Sequence, residues 1–291
     1  MLEASQRSGI QVKPQGNSFG AEVTNVDLTR PLNDDALSAL LGAWAQHSVV
    51  FFPEQELSLH ELESFTRQFG EFGADPYIRP IEGHPNVLEL RREANEKAKN
   101  FGSNWHSDWS FQEKPPAATI LHSRVVPPVG GDTIFVDCYR AYEELSPAYR
   151  DLLDGLIALH SAKKAYGPDS ALVSGEEKRS MSFQIDDSTG HVRSHPLVRV
   201  HDVTQRKALY VSPVYTVGIE GMADQEASSI LDFLYKHMTQ EKYIYRHKWK
   251  PNMILLWDNR CTLHNAEGGY DGHLRVMHRT TVAGGVPKGI F

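Results

Sequence analysis

The chain is 291 residues long and 40% apolar, with a formal net charge of −7 and a pI near 6.0. That length fits one large domain or two small ones, and the acidic balance, with basic stretches only at Lys163-Lys164 and 96–99, offers no field that attracts nucleic acid or an anionic membrane. Two cysteines, Cys138 and Cys261, make no disulfide framework, residues 1–15 carry no secretory apolar region, and no run of about 18 apolar residues spans a bilayer, so a cytoplasmic protein is expected.

In chain order, residues 10–31 read as short strands broken at Gln15-Gly16-Asn17 and Phe19-Gly20. Asn33 caps a helix whose inward face is Leu37, Leu40, Leu41 and Trp44. Residues 49–52 form a buried strand ended by Pro53. Ser58 and Glu61 make a capping box for a second helix with Leu62, Phe65 and Phe69 inward and Gly70 at its end. Residues 72–85 are irregular, 87–90 read as a strand, and 91–103 as a charged, mobile loop. Strands at 117–126 and 132–136 flank the turn Pro127-Pro128-Val129-Gly130-Gly131. Ser146-Pro147 starts a helix running to about Leu159. The stretch 163–193 is polar and aperiodic and reads as a lid. Strands at 197–200 and 207–211 pair across a turn, and Asp224 opens a helix with Ile230, Leu231, Phe233 and Leu234 inward. Residues 243–249 and 274–282 alternate, and 253–257 is a continuous apolar strand. With no βαβ rhythm and no internal repeat, the pattern predicts a single mainly β domain over 1–291, a jelly roll with flanking helices.

The chemistry concentrates at Asn104-Trp105-His106-Ser107-Asp108-Trp109. In extended backbone, residues two apart point the same way, so His106 and Asp108 offer a nitrogen and an oxygen to one metal ion. A second imidazole must come from elsewhere, and His264, after Trp257-Asp258-Asn259-Arg260, is the candidate. Two histidines and one carboxylate on one face of an octahedral ion are the facial triad of oxygen-activating non-haem Fe(II) centres. Arg275 and Arg279 share one face of a predicted strand, roughly 13 Å apart at about 3.3 Å per residue. If that face is the interior, each needs an anion. If the mostly apolar face of Leu274, Val276, His278, Thr280 and Val282 is the interior, the arginines are solvated. Spacing leaves both open. His60 and His237, on helix surfaces, read as ordinary surface residues.

The ordered set His106-Ser107-Asp108, Gly130-Gly131-Asp132-Thr133, Trp257-Asp258-Asn259-Arg260 before His264, and Arg275 eleven residues later resembles the taurine dioxygenase family. The likeness runs from about Gly20 to Val282. It implies a double-stranded β-helix (jelly-roll) core and an oxidoreductase that uses Fe(II), 2-oxoglutarate and O2 and releases succinate and CO2. By the same resemblance His106, Asp108 and His264 are the iron ligands, and Thr133 and Arg275 bind the distal carboxylate of 2-oxoglutarate. Arg279 matches the arginine that holds the substrate anion, and Phe111, Tyr166 and Tyr215 match pocket positions. Trp257 is expected beneath the metal centre, and Asp258-Asn259-Arg260 to hold the turn that presents His264.

Two positions depart from taurine dioxygenase. Asp75 stands where that enzyme has a substrate-binding histidine, and Gly102 where it has an asparagine. An acid there repels a sulfonate, while Arg91-Arg92-Glu93-Ala94-Asn95-Glu96 resembles the aryloxypropionate dioxygenases. The expectation is hydroxylation of a small organic anion, a sulfonate, carboxylate or aryloxyalkanoate, at a C–H next to a heteroatom. Oxygenases of alkylsulfonates or secondary metabolites are alternatives, as is a metal-binding jelly-roll sensor without turnover. The resemblance also implies a homo-oligomer, dimer or tetramer.

Overall fold

The computed structural model describes residues 9–16, 19–170 and 179–290. Two short antiparallel strands, β1 (Gln11–Pro14) and β2 (Ala21–Thr24), open the chain. Helix α1 (Asp34–His47) begins where its cap predicts, with the Ala36 amide donating to Asn33 Oδ1 at 2.9 Å. Its buried stripe is Ala36, Ala39, Leu40, Ala43 and Trp44, whereas Leu41 is 39% exposed. The expected stripe was centred on leucines; the alanines are the side chains small enough to let the helix sit close against the sheet. Strand β3 (Val49–Phe52) is wholly buried. Helix α2 (Leu59–Arg67) carries the full capping box: the Ser58 amide donates to Glu61 Oε2 at 2.7 Å and the Glu61 amide to Ser58 Oγ at 3.2 Å.

Strands β4 (Pro80–Ile81) and β5 (His84–Arg92) follow, the second longer than its apolar stretch because the charged Arg91 and Arg92 still pair in the sheet. After β6 (Ala118–Val125) and β7 (Thr133–Asp137) comes an unexpected short helix, α3 (Cys138–Glu143), capped by Asp137. Helix α4 (Pro147–Leu153) stops well before Leu159. Gly155 follows its end, and residues 157–161 are instead strand β8 (Ile157–Ser161), because edge pairing on both sides outweighs helix continuation. The expected lid contains helix α5 (Lys163–Tyr166), one 3₁₀ turn (Asp187–Gly190) and the start of β9 (Val192–Pro196); its residues 171–178 lie outside the described residues. Strands β10 (Val198–Val200) and β11 (Lys207–Leu209) pair as expected, and β12 (Thr216–Ile219) precedes helix α6 (Asp224–Met238). That helix buries Ala227, Leu231, Leu234 and Met238, while Phe233 is 45% exposed and Ile230 is only partly covered. Four strands close the chain: β13 (Ile244–His247), β14 (Ile254–Asp258), β15 (Thr262–Ala266) and β16 (Arg275–Val282).

The main sheet has eight strands in the order β1-β2-β3-β14-β6-β16-β5-β4, and a three-stranded sheet, β13-β7-β15, is packed against it. Alternation along β14 explains its unbroken apolar sequence. Leu255 and Trp257 face the smaller sheet, in one cluster with Phe51, Leu121, Phe135 and Met277. Ile254 and Leu256 face the other way, onto Leu40, Trp44, Leu62 and Phe65 of the two N-terminal helices. A sheet covered on both sides carries no polar face. The same holds for β16, where Met277 lies in the intersheet cluster and Val282 under the helices. The choice that spacing left open is thereby made: Arg275 and Arg279 share the intersheet face of Met277. The chain is a mainly β jelly roll with flanking helices. No helix of the described residues is long and apolar enough to cross a membrane.

Candidate active site

His106 lies in an irregular segment between β5 and β6, yet its backbone is locked to β15. The His106 amide donates to the His264 carbonyl at 3.0 Å and the His264 amide to the His106 carbonyl at 2.8 Å. This isolated bridge sets the two imidazoles side by side, with ring centres 4.1 Å apart. Asp108 completes the group, its Oδ1 lying 3.7 Å from Nε2 of each histidine. All three side chains are buried. Burial keeps both imidazoles neutral by lowering their pKa values. The His106 Nδ1–H donates to the Asn104 carbonyl at 2.7 Å, which leaves the lone pair on Nε2, toward Asp108. Burial on its own raises the Asp108 carboxyl, but Arg279, His264 and His106 outweigh it and hold the group below the usual carboxylate range. Two neutral nitrogens and an ionised oxygen at this spacing are a donor set for a divalent transition metal. The residues therefore fit the Fe(II) that the sequence implies.

The support around this group runs through residues that sequence reasoning missed or underweighted. Thr119 donates to Asp108 Oδ2 at 2.6 Å, and Asn259 Nδ2 donates to Thr119 Oγ1 at 2.9 Å. Asn259 Oδ1 accepts from Trp257 Nε1 at 3.0 Å, and its carbonyl accepts from Ser107 Oγ at 2.7 Å. Trp257 packs 4.8 Å from the His264 ring. Asp258 and Arg260 pair with each other at 2.7 Å, and His201 meets Asp258 at 3.0 Å, so this stretch holds the turn, as expected. His201, Asp258 and Cys261 also lie close enough together to ligate a metal, but the Arg260 guanidinium already satisfies that carboxylate.

A cavity opens beside the ligands, lined among others by His106, His264, Thr133, Tyr270, Arg275 and Arg279. The Gly130-Gly131 turn brings Thr133 to Arg275: at Gly130, φ is +68° and a Cβ would lie 2.6 Å from Gly269 backbone, so only glycine fits. Arg275 is buried, and no carboxylate of the described residues lies within ion-pair distance of it. Desolvation lowers its pKa, with Tyr270 opposing. The Tyr270 ring lies 5.9 Å from the Arg275 guanidinium and 4.9 Å from that of Arg92. Trp249 Nε1 donates to Thr133 Oγ1 at 2.9 Å. A buried guanidinium and a hydroxyl with its proton to spare suit a carboxylate from outside the chain.

Of the other expected pocket residues, Arg279 lines this cavity, Tyr166 and Tyr215 line a second one beside His106, and Phe111 and Asp75 line neither of the two. Arg279 Nη2 is 3.3 Å from Asp108 Oδ2, and its guanidinium lies 4.8 Å from the Trp109 ring. Trp109 takes a left-handed φ of 46°, which turns the chain sharply after Asp108. Tyr215 sits 6.0 Å from the His106 ring and 4.9 Å from Phe111, and Tyr166 lies 4.8 Å from Tyr77, which stacks on Phe111 at 5.7 Å. Asp75 caps the turn before Tyr77, accepting from the amides of Tyr77 and Ile78 at 3.3 and 3.1 Å. Gly102 lines the cavity 3.6 Å (from its notional Cβ) from His106.

A metal triad and an anion-ready cavity between the sheets of a jelly roll define an oxygenase of the 2-oxoglutarate type, and sequence comparison agrees. The model of the taurine catabolism dioxygenase TauD, TfdA family matches residues 11–281, and the chain belongs to that family. It is 32% identical over 285 residues to an alpha-ketoglutarate-dependent sulfate ester dioxygenase of Pseudomonas putida, covering 97% of this chain and 92% of the relative. It is 30% identical over 284 residues to a (S)-phenoxypropionate/alpha-ketoglutarate-dioxygenase of Sphingobium herbicidovorans, covering 94% and 95%. Among solved structures, a taurine dioxygenase from Burkholderia xenovorans superposes with a TM-score of 0.81 at 34% identity, over 97% of this chain and 91% of the other. The structure of AAD-2 in complex with Mn(II) and N-oxalylglycine gives 0.78 at 28% identity, over 96% and 98%. The chain is an Fe(II)- and 2-oxoglutarate-dependent dioxygenase, an oxidoreductase that consumes O2.

Proposed function

We propose that His106, Asp108 and His264 hold the Fe(II), that Arg275 and Thr133 receive the distal carboxylate of 2-oxoglutarate, and that Arg279, Asp75, Phe111, Tyr166 and Tyr215 line the place of a small organic anion. The substrate is hydroxylated at a C–H bond next to a heteroatom. The observation that carries this reading is three metal-ligand atoms meeting beside a cavity that also holds a buried arginine without a carboxylate partner among the described residues. When bound, the iron with 2-oxoglutarate and O2 supplies the oxidant that breaks the C–H bond, while 2-oxoglutarate becomes succinate and CO2.

The chain's own groups do the rest. The Asn104 carbonyl and the Thr119 hydroxyl orient His106 and Asp108 through the hydrogen bonds given above. Arg275 orients the keto acid by its far end. The rings of Phe111, Tyr166 and Tyr215 exclude water from the reacting carbon. In an ether, sulfate ester or sulfonate, hydroxylation of the carbon bearing the heteroatom gives a hemiacetal-like product, which breaks the C–O or C–S bond. Relatives named for sulfate esters and phenoxypropionate support an anionic substrate here. The same reading takes the chain as a single domain over 1–291 that assembles as a homodimer or tetramer in the cytoplasm, with no nucleic acid or membrane partner; its acidic balance and two free, buried cysteines support this.

Anaerobic addition of Fe(II) and 2-oxoglutarate should give the weak visible band of a chelated keto acid. His106→Ala should abolish the band and succinate release together, and wild-type turnover by that variant would remove the ligand assignment. A screen of sulfonates, sulfate esters, aryloxyalkanoates and N-alkyl amino acids, read as succinate formed, identifies the substrate.

A further inference from the structure

Beside Arg275 stands a second buried guanidinium, that of Arg92. The two residues are register partners on the neighbouring antiparallel strands β5 and β16, so their side chains stand directly opposite each other on one face of the sheet. Arg92 is 8% exposed and Arg275 9%. Both line the cavity that is also lined by His106, His264 and Thr133, and the Tyr270 ring lies within 6 Å of both guanidinium groups, at 4.9 and 5.9 Å. Like charges directly opposite destabilise a sheet, and burial takes away the water that would screen them. An arrangement of this kind calls for an anion.

The chain supplies only part of one. Arg92 Nη2 donates to Asp271 Oδ1 at 2.7 Å and to the Glu96 carbonyl at 3.1 Å. The Asp271 side chain is 87% exposed, so solvent screens its charge. Arg92 Nε and Nη1 are buried and have no hydrogen-bond partner. Asp271 and Glu96 therefore fix the guanidinium by one nitrogen and leave two donors unused beside the cavity.

We propose that Arg92 is a second guanidinium for the distal carboxylate of 2-oxoglutarate, completing with Arg275 and Thr133 a three-residue seat. A carboxylate accepts at about four positions on its two oxygens. The Arg275 fork takes two, the Thr133 hydroxyl a third, and one of the free Arg92 donors the fourth. A single anion between the two arginines turns their mutual repulsion into two attractions. A 2-oxo acid without the second carboxylate does neither, so the seat selects for the charged end of the cosubstrate. The inference rests on the reading that Arg275 and Thr133 receive this carboxylate, and it adds to them a residue from a different strand.

The test compares 2-oxoglutarate with 2-oxopentanoate, which carries a methyl group in place of the distal carboxylate. Each is titrated into anaerobic Fe(II)-loaded enzyme, and its dissociation constant is read from the visible band of the chelated keto acid. Arg92→Gln should weaken 2-oxoglutarate roughly tenfold or more, the loss of a charge-assisted hydrogen bond, and leave 2-oxopentanoate within about twofold of wild type. A loss shared equally by both acids makes Arg92 a structural residue and overturns the proposal, as does an unchanged affinity for 2-oxoglutarate. Where Arg92→Gln does not fold, Arg92→Lys serves: it keeps the charge toward Asp271 but offers one nitrogen in place of three, and a loss of about threefold or more confined to 2-oxoglutarate is expected. A loss shared by both acids, or none, again overturns the proposal. Arg275→Gln separates the two readings. Unchanged 2-oxoglutarate affinity in that variant refutes the parent assignment as well, whereas a loss in Arg275→Gln without one in Arg92→Gln overturns the second guanidinium alone.

Discussion

Thr133 is fixed by one contact that decides what its hydroxyl does next. Because Trp249 donates to Oγ1, the hydroxyl's own proton is left for an acceptor in the cavity, beside Arg275. Thr133→Ala should weaken 2-oxoglutarate binding by about 1 kcal/mol, the net worth of one hydrogen bond, and also cost stability by stranding the Trp249 N–H. Arg275→Lys keeps the charge but loses the planar fork, so a larger loss is expected, roughly 10- to 100-fold in affinity. Titration of the visible band with 2-oxoglutarate measures both, and a wild-type curve for Arg275→Lys would rule out its assigned role. At this scale the sequence was readable where one segment carries the chemistry: His106 with Asp108, and Arg275 with Arg279. It was silent on Thr119 and Tyr270, and it gave Asn259 only a part in a turn and Trp109 only a place in a motif, because their contacts come from strands or turns they meet across the fold and not from their neighbours in the chain.

The segment that holds His106 and Asp108 is not part of a regular strand, so its position depends on the bridge to β15 and on Asn259. The Asn259 side chain ties together the Trp257 indole, the Thr119 hydroxyl and the Asp108 amide, which donates to its Oδ1 at 3.4 Å. Asn259→Ala should lower metal affinity roughly 10- to 100-fold, as loss of a residue that orients a ligand does. It should also destabilise the fold by roughly 3 kcal/mol through the buried groups left unpaired. Metal titration and thermal melts check the two effects separately. The metal is itself a fastener between elements. At a hundredfold excess over its Kd, an ion bound only by the folded chain adds about 2.7 kcal/mol, so chelation should lower the melting temperature and Mn(II) restore it without restoring turnover. Element boundaries went astray where packing overrode local preference. Residues 157–161 continue an amphipathic pattern after α4 but are claimed by β9 and β12 on either side.

Across the whole molecule, buried histidines set the acid limit of stability. Burial pushes His160 and His247 down to about 3, against an unfolded value near 6.5. Both are neutral in the fold, so below pH ~6.5 the unfolded chain takes up protons that the folded chain refuses. Stability is therefore fully present above about pH 6.5 and falls as pH drops toward 3, by about 1.4 kcal/mol per pH unit for each of the two. His122 and His278, held near 4, act in the same window. His247 packs between Phe51 and Trp249, with ring centres at 4.9 and 4.6 Å. His247→Phe should flatten the slope by one proton, and urea melts at pH 6.5 and 5.0 would show it; an unchanged slope would mean that His247 titrates normally.

The sequence by itself determined the chemical inventory and its local order. It carried the alternating strands, the triad residues, the paired arginines and the likeness to a dioxygenase family, because spacing within one extended segment is set by backbone geometry alone. Tertiary structure decided the rest: which face of β16 looks inward, where α4 gives way to a strand, and that His264 meets His106 and Asp108 across the isolated bridge. Those facts depend on register and packing between segments far apart in the chain, and no local pattern encodes them.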